Sequence, residues 1–218
     1  MEVKIKVPTS LMDVTCKQFI DYINSEKTDF DVLRIFYNVP IHYANLMPIS
    51  EVRELVAKID LLFSQEQPFQ NVFHLAGEKF GFMPKLDDMT ISEYADLDTF
   101  ASSIDDIPKM MAVMYRPITK EKKGSYLIEP YIADITYHKV MESAPISIYL
   151  GAKGFFLTLK KELLKLTMGY LDKESEWMNS QRGINSLKSG DGTLHYMNSL
   201  REMLEDLEMS EESTYTKH

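Results

Sequence analysis

Apolar residues recur along this chain with two spacings, and the changes between them mark out its elements. Steps of three and four put Cys16, Phe19, Ile20 and Ile23 on one helical face. Thr15 and Gln18 stand at capping-box positions in front of that face. A second helix is predicted over 29–38, with Leu33, Phe36 and Tyr37 inward and Pro40 ending it, followed by a short turn over 42–46. Val52, Leu55, Val56, Ile59, Leu62 and Phe63 form the clearest amphipathic stripe, with Ser50 as the expected cap and Gln67-Pro68 as the stop. Period-two alternation predicts a strand over 2–7. It also predicts a hairpin at 71–83, where Phe73 and Leu75 lead into Gly77 and Phe80 and Phe82 lead out. Thr90-Ile-Ser-Glu93 is a second capping box, opening a helix to about residue 102. Met110, Met111, Val113, Met114 and Tyr115 then predict a buried, Met-rich helix, capped by Asp105 or Asp106, carrying Pro108 in its first turn and stopping at Arg116-Pro117.

The remaining pattern is coarser. Residues 120–125 read as a basic loop around Gly124, and 126–132 as extended chain. Thr136 opens a short helix to about 143, and Pro145 starts the longest helix, to 173 or beyond. Its first stripe is Ile148, Ala152, Phe155, Leu159, Leu163, Leu166 and Tyr170. Leu150, Gly154, Leu157, Leu164, Met168 and Leu171 lie beside it, so the helix is expected to be covered on more than one side. Gly151 and Gly154 predict a neighbouring backbone passing close. Gly183, Gly190 and Gly192 mark a polar hinge over 181–193. Beyond it Leu194, Met197, Leu200, Leu204 and Leu207 make an amphipathic helix whose other face is acidic, through Glu202, Glu205, Asp206 and Glu208. The expected fold is therefore mainly α with a small β element, made by 2–7 and the hairpin. Residues 1–175 form a multi-helix core domain, and 176–218 form a hinge, an acidic helix and a tail.

Composition narrows the function. A formal charge of −9 over 218 residues argues against a free-standing nucleic-acid binder, which needs a concentrated basic face. A single cysteine excludes an internal disulfide and a cysteine-based zinc site. No apolar run reaches the roughly 18 residues of a membrane span, and the N-terminus lacks the apolar core of a signal peptide, so the chain reads as cytosolic in origin.

The search for chemistry returns structural explanations. No glycine-spaced phosphate loop is present, and Gly190-Asp-Gly-Thr193 reads as a turn. His42, His74, His138, His195 and His218 are too far apart for a paired metal motif. Asp87-Asp88 and Asp105-Asp106 precede helix starts, where acids cap amide groups. Cys16 begins an apolar stripe and reads as a core thiol. Arg116 is placed to bond the last helix carbonyls and pair with a carboxylate. Lys120-Glu-Lys-Lys123 reads as a solvated turn. No catalytic, cofactor-binding or metal-binding residue is predicted.

The middle of the chain resembles small proteins encoded in the structural and assembly modules of tailed bacteriophages. The resemblance rests on Phe80-Gly-Phe-Met-Pro-Lys-Leu-Asp-Asp-Met-Thr-Ile-Ser-Glu-Tyr-Ala-Asp-Leu-Asp-Thr-Phe100 and Met111-Ala-Val-Met-Tyr-Arg-Pro-Ile118, with weaker support from Val14-Thr-Cys-Lys-Gln-Phe19 and Ala144-Pro-Ile-Ser-Ile-Tyr-Leu-Gly-Ala-Lys-Gly-Phe-Phe156. It covers about residues 1–171. It implies a non-enzymatic virion or assembly protein, made in the cytoplasm of the infected bacterium and working at the portal, neck or tail as a connector or ring-like component. Partners would be other phage structural proteins, in a homo-oligomer or a hetero-assembly, with no cofactor and no membrane. Candidate interface residues are Met110 and Met114, then Leu157, Leu164 and Met168 on the long helix, then Leu194, Met197 and Leu204; packing inside one chain is the competing reading for each group. The alternatives are a tail-assembly chaperone absent from the finished virion, a DNA-contacting internal protein using Lys120, Lys122, Lys123, Lys153, Lys160 and Lys161, and an enzyme using dispersed carboxylates with His138 or His195.

Overall fold

Two pairs of left-handed backbone positions organise the β-structure. Ala76 (φ 51°) and Gly77 (φ 84°) fold β1 (Val72–Leu75) back onto β2 (Glu78–Phe82). Lys123 (φ 47°) and Gly124 (φ 81°) do the same for β3 (Tyr115–Lys122) and β4 (Ser125–Ile128). Positive φ at both central residues of a two-residue turn matches the right-handed twist of the strands it joins. β2 and β3 pair antiparallel, with Phe80 opposite Pro117, Gly81 opposite Arg116 and Phe82 opposite Tyr115. The product is a four-stranded antiparallel sheet in the order β1-β2-β3-β4.

This sheet corrects the expected fold class. The chain is α+β, not mainly α with one small hairpin. The Met-rich helix ends at Met114, and Tyr115-Arg116-Pro117 leaves it directly as a strand. The basic loop expected over 120–125 is the outer half of the second hairpin, whose lysines are solvated because the hairpin tip has no layer over it. No strand forms over residues 5–7, since alternation alone supplies no neighbouring ladder.

The computed structural model describes residues 5–85, 88–132 and 135–181, with Ser199, Glu202 and Met203. The expected strand residues 2–4, most of the hinge, the amphipathic stripe after it and the tail lie outside the described residues. The chain divides into two compact units, residues 1–152 and 153–218.

The first unit opens with α1 (Cys16–Ile23) and α2 (Asp29–Phe36), each behind a capping box, Thr15/Gln18 and Thr28/Asp31. α3 (Ile41–Ala44) and α4 (Ile49–Phe63) follow. α4 begins on Pro48 with no side-chain cap, so Ser50 is already inside the helix and is not its cap. The Tyr37 hydroxyl donates to the Leu55 carbonyl at 2.6 Å and joins α2 to α4. After β1 and β2 come α5 (Ile91–Phe100), capped by Thr90 and Glu93, and α6 (Ile107–Met114), then β3, β4 and α7 (Ile135–Met141). Asp106 stands at the α6 cap position without bonding its amides; its carboxylate pairs with Lys109 instead. α8 (Ile146–Gln181) leaves the first unit after Ala152.

Aromatic rings line one face of the sheet: Phe73 against Phe80 (centroids 5.6 Å apart), Phe73 against Tyr115 (5.2 Å) and Phe82 against Tyr115 (5.2 Å). Met111, Val113, Met114, Met141, Ile146 and Ile148 are all buried, so helices and sheet share one apolar interior. The Cys16 amide donates to Ala144 and the Ile146 amide to Val14, both at 2.8 Å, which fastens the start of α1 to the α7–α8 junction. Gly151 accommodates a close backbone: a Cβ there would stand 2.5 Å from the Pro68 carbonyl oxygen. Gly154, expected to do the same, has open space around it.

In the second unit α8 continues to Gln181. Leu164 is buried there, Leu157 and Met168 are half-buried, and Leu166 and Tyr170 are exposed. No described helix is long and apolar enough to cross a membrane.

Candidate functional site

A grouping of ionisable and hydroxyl side chains in the first unit surrounds Arg116. β3 carries this residue on the sheet face opposite the Phe80–Tyr115 rings, since neighbouring strand residues point to opposite faces. Its Nη2 donates to Glu93 Oε1 at 2.7 Å, and both side chains are buried. Glu93 is the third residue of α5, and its other oxygen accepts from the Thr90 amide (2.7 Å) and hydroxyl (2.8 Å). One carboxylate therefore completes a helix cap and answers a strand cation. Burial works to raise the Glu93 carboxyl, but the Thr90 donors and the Arg116 guanidinium outweigh it and hold it below its ordinary value.

Further pairs extend the cluster. The guanidinium carbon lies 5.8 Å from the Tyr131 ring centroid. The Tyr131 hydroxyl donates to Asp96 Oδ2 at 2.5 Å; burial, then this bond, push the phenol well above its ordinary value. The Tyr137 hydroxyl donates to Glu129 Oε2 at 2.7 Å, and the His138 ring meets Phe100 edge-on at 6.1 Å.

Two clefts flank Arg116. One, of about 180 Å³, is lined by Ala112, Glu129, Tyr131, Tyr137 and His138; the other, of about 270 Å³, by Met83, Lys85, Asp88, Glu93 and Leu127. Arg116 Nε is buried and unpartnered among the described residues. The cluster behaves as a lock. Carboxylates from α5 and from residue 129 are each bonded to a phenol or a guanidinium, which ties the helix, the strand and the 129–131 segment together.

Arg116, His138 and Asp88 belong to this region, and the other described residues singled out as candidates in the sequence do not. Met114 is 1% exposed and belongs to the core, while Met110 is half-buried. Leu157, Leu164 and Met168 belong to the second unit, and Leu194, Met197 and Leu204 lie outside the described residues. Cys16 is buried, and burial pushes its thiol up to about 12. Lys120, Lys122 and Lys123 share the β3–β4 hairpin with Glu121, which pairs with Lys79 at 2.6 Å. Lys153 and Lys161 belong to the second unit. His138 sits at the first cleft; His195 lies outside the described residues, as does Asp87. Asp88 is exposed and pairs with Lys85 at 3.6 Å. Among the described residues no group of three or more His, Cys, Asp or Glu is placed to hold a metal ion.

Sequence reasoning anticipated a carboxylate partner for Arg116 but not Glu93, nor the contributions of Asp96 and Tyr131. A signal was present. Leu97 and Phe100 lie in helical phase with Glu93 and Asp96, while Ile91 and Tyr94 lie on the other side, so the apolar residues of α5 do not share one face. No family model, no curated protein and no solved structure matches the chain.

Proposed function

We propose that this chain is a non-enzymatic virion or assembly protein of a tailed bacteriophage, a structural subunit at the portal, neck or tail that holds its neighbours through apolar helix surfaces. One observation carries this reading. The first unit has a full apolar core, yet it leaves Ile41, Leu46 and Ile49 at the α3–α4 corner, and Ile91 and Tyr94 on α5, in solvent. Large apolar side chains grouped at a surface are characteristic of contact sites. The ionisable groups beside the two clefts bond to one another, which supports a scaffold reading of that cluster. The resemblance of residues 80–100 and 111–118 to phage assembly-module proteins supplies the biological setting.

The test is mass spectrometry of purified virions, with light scattering of the isolated protein. Stoichiometric copies in the particle support a structural subunit. Expression during infection with absence from the particle supports the tail-assembly chaperone instead. A turnover reaction lost on changing Arg116, Tyr131 or His138 in a folded variant overturns both.

A further inference from the structure

α5 turns two of its large apolar residues outward and a carboxylate inward. Its one fully buried residue is Glu93, whereas Ile91 is 88% exposed and Tyr94 65% exposed. Ile91, Tyr94, Ala95 and Asp98 follow one another at i, i+3, i+4 and i+7, a single outward strip. This orientation is held in place. Rolling the helix to bury Ile91 and Tyr94 would break the Arg116–Glu93 pair and the Tyr131–Asp96 bond together. The outward apolar strip is thus a fixed feature of the folded first unit.

Charge selects what covers it. α5 carries Glu93, Asp96 and Asp98 and no cation. Arg116 answers Glu93 and the Tyr131 hydroxyl engages Asp96, but Asp98, exposed within the strip, has no ion-pair partner among the described residues. A second copy meeting this strip across a two-fold axis would bring two Asp98 carboxylates and no cation into one apolar contact. A partner with apolar ridge residues flanked by Lys or Arg meets both the side chains and the charge. We infer that the outward face of α5 docks an apolar segment of another protein whose flanks are basic, with Ile91 and Tyr94 as the buried anchors and Asp98 as the charged rim. This rests on the assembly reading and names the partner chemistry of one of its surfaces.

The probe is a helical peptide of leucine and lysine at amphipathic spacing, with a leucine–glutamate peptide of the same pattern as control. Binding to the full chain is followed by NMR of labelled isoleucine methyl groups. Ile41, Ile49 and Ile132 are exposed elsewhere in the first unit and serve as internal references. The expected result is that the lysine peptide moves the Ile91 signal and leaves the references in place, while the glutamate peptide moves nothing. Tyr94→Ala is expected to weaken binding about tenfold, read at the Ile91 signal, and Asp98→Lys several-fold, with thermal stability unchanged because both side chains face solvent. Equal binding of the glutamate peptide, shifts at Ile41 and Ile49 without Ile91, a shift at Ile91 with protein concentration alone, or no binding at all each overturns the inference. None of those results touches the virion mass spectrum on which the assembly reading depends.

Discussion

Glu93 binds Arg116 with one carboxylate oxygen and closes its own helix cap on Thr90 with the other. A cap is ordinarily a local device and a salt bridge a tertiary one. Here a single side chain performs both, so α5 cannot reorient on the sheet without breaking a buried ion pair.

Removing that carboxylate is expected to destabilise the fold. Glu93→Ala leaves the buried Arg116 uncompensated and should cost about 3 kcal/mol. Glu93→Gln keeps an acceptor and should cost about 1–2 kcal/mol. The carboxyl titrates lower in the fold than in the unfolded chain, so its contribution is complete above its ordinary value of 4.5 and is lost as pH falls through the folded value beneath it. The gap in urea midpoint between wild type and Glu93→Gln should be constant near neutrality and narrow as pH falls below the ordinary value of 4.5. A gap that widens on acidification would remove the pairing as the source of stability.

Gly81 and Tyr126 form a second dependent pair. A Cβ at Gly81 would meet Tyr126 Cε2 at 2.5 Å and Ile118 Cγ1 at 3.0 Å. The ring cannot move aside freely, because its hydroxyl donates to the carbonyls of Phe82 (2.8 Å) and Asn71 (3.1 Å). Gly81→Ala should cost about 1–3 kcal/mol by overpacking. In the Tyr126→Ala background the same change should cost much less, and thermal melts of the four proteins in the cycle measure the coupling.

Gly151 and Gly154 of α8 should respond in opposite directions. Gly151→Ala drives a methyl group into the Pro68 carbonyl, which is backbone and cannot yield, and should lower stability by more than about 1 kcal/mol. Gly154→Ala meets nothing within 4 Å and should raise stability by up to about 1 kcal/mol through helix propensity. Denaturant unfolding of both variants decides the matter. A loss of stability in Gly154→Ala would contradict the open space beside it.

Cys16 should be silent to thiol reagents in the native protein. Its burial both blocks access and pushes the thiol up to about 12, so almost no thiolate is present at neutral pH. Ellman's reagent should label one thiol only after denaturant is added. Rapid labelling in native buffer would show that the start of α1 opens.

Much of the helical layout was legible in the residues. Thr15 with Gln18 and Thr90 with Glu93 announced two helix starts because capping boxes are local and repeat in sequence. The β1–β2 hairpin showed through Gly77 and the flanking phenylalanines. The second hairpin was hidden for a physical reason. Its outer residues carry charges on both faces, since nothing packs there, and alternation disappears when neither face is buried. Arg116-Pro117 read as a helix stop, which was right for α6 but silent about the strand that follows. The Arg116 cluster was only half legible. A cation seeking a carboxylate is visible in sequence, but the partner lies in another element and is chosen by how α5 sits on the sheet.

The sheet order has a kinetic corollary. β1–β2 and β3–β4 each close over a two-residue turn, whereas β2 meets β3 only after α5 and α6 have been laid down between them. Closing a long loop costs more chain entropy than closing a short one. The outer ladders should therefore gain protection early in refolding, and the Phe80–Phe82 ladder with Tyr115–Pro117 should gain it last. Pulse-labelling hydrogen exchange would record that sequence of events, and simultaneous protection of all three ladders would refute it.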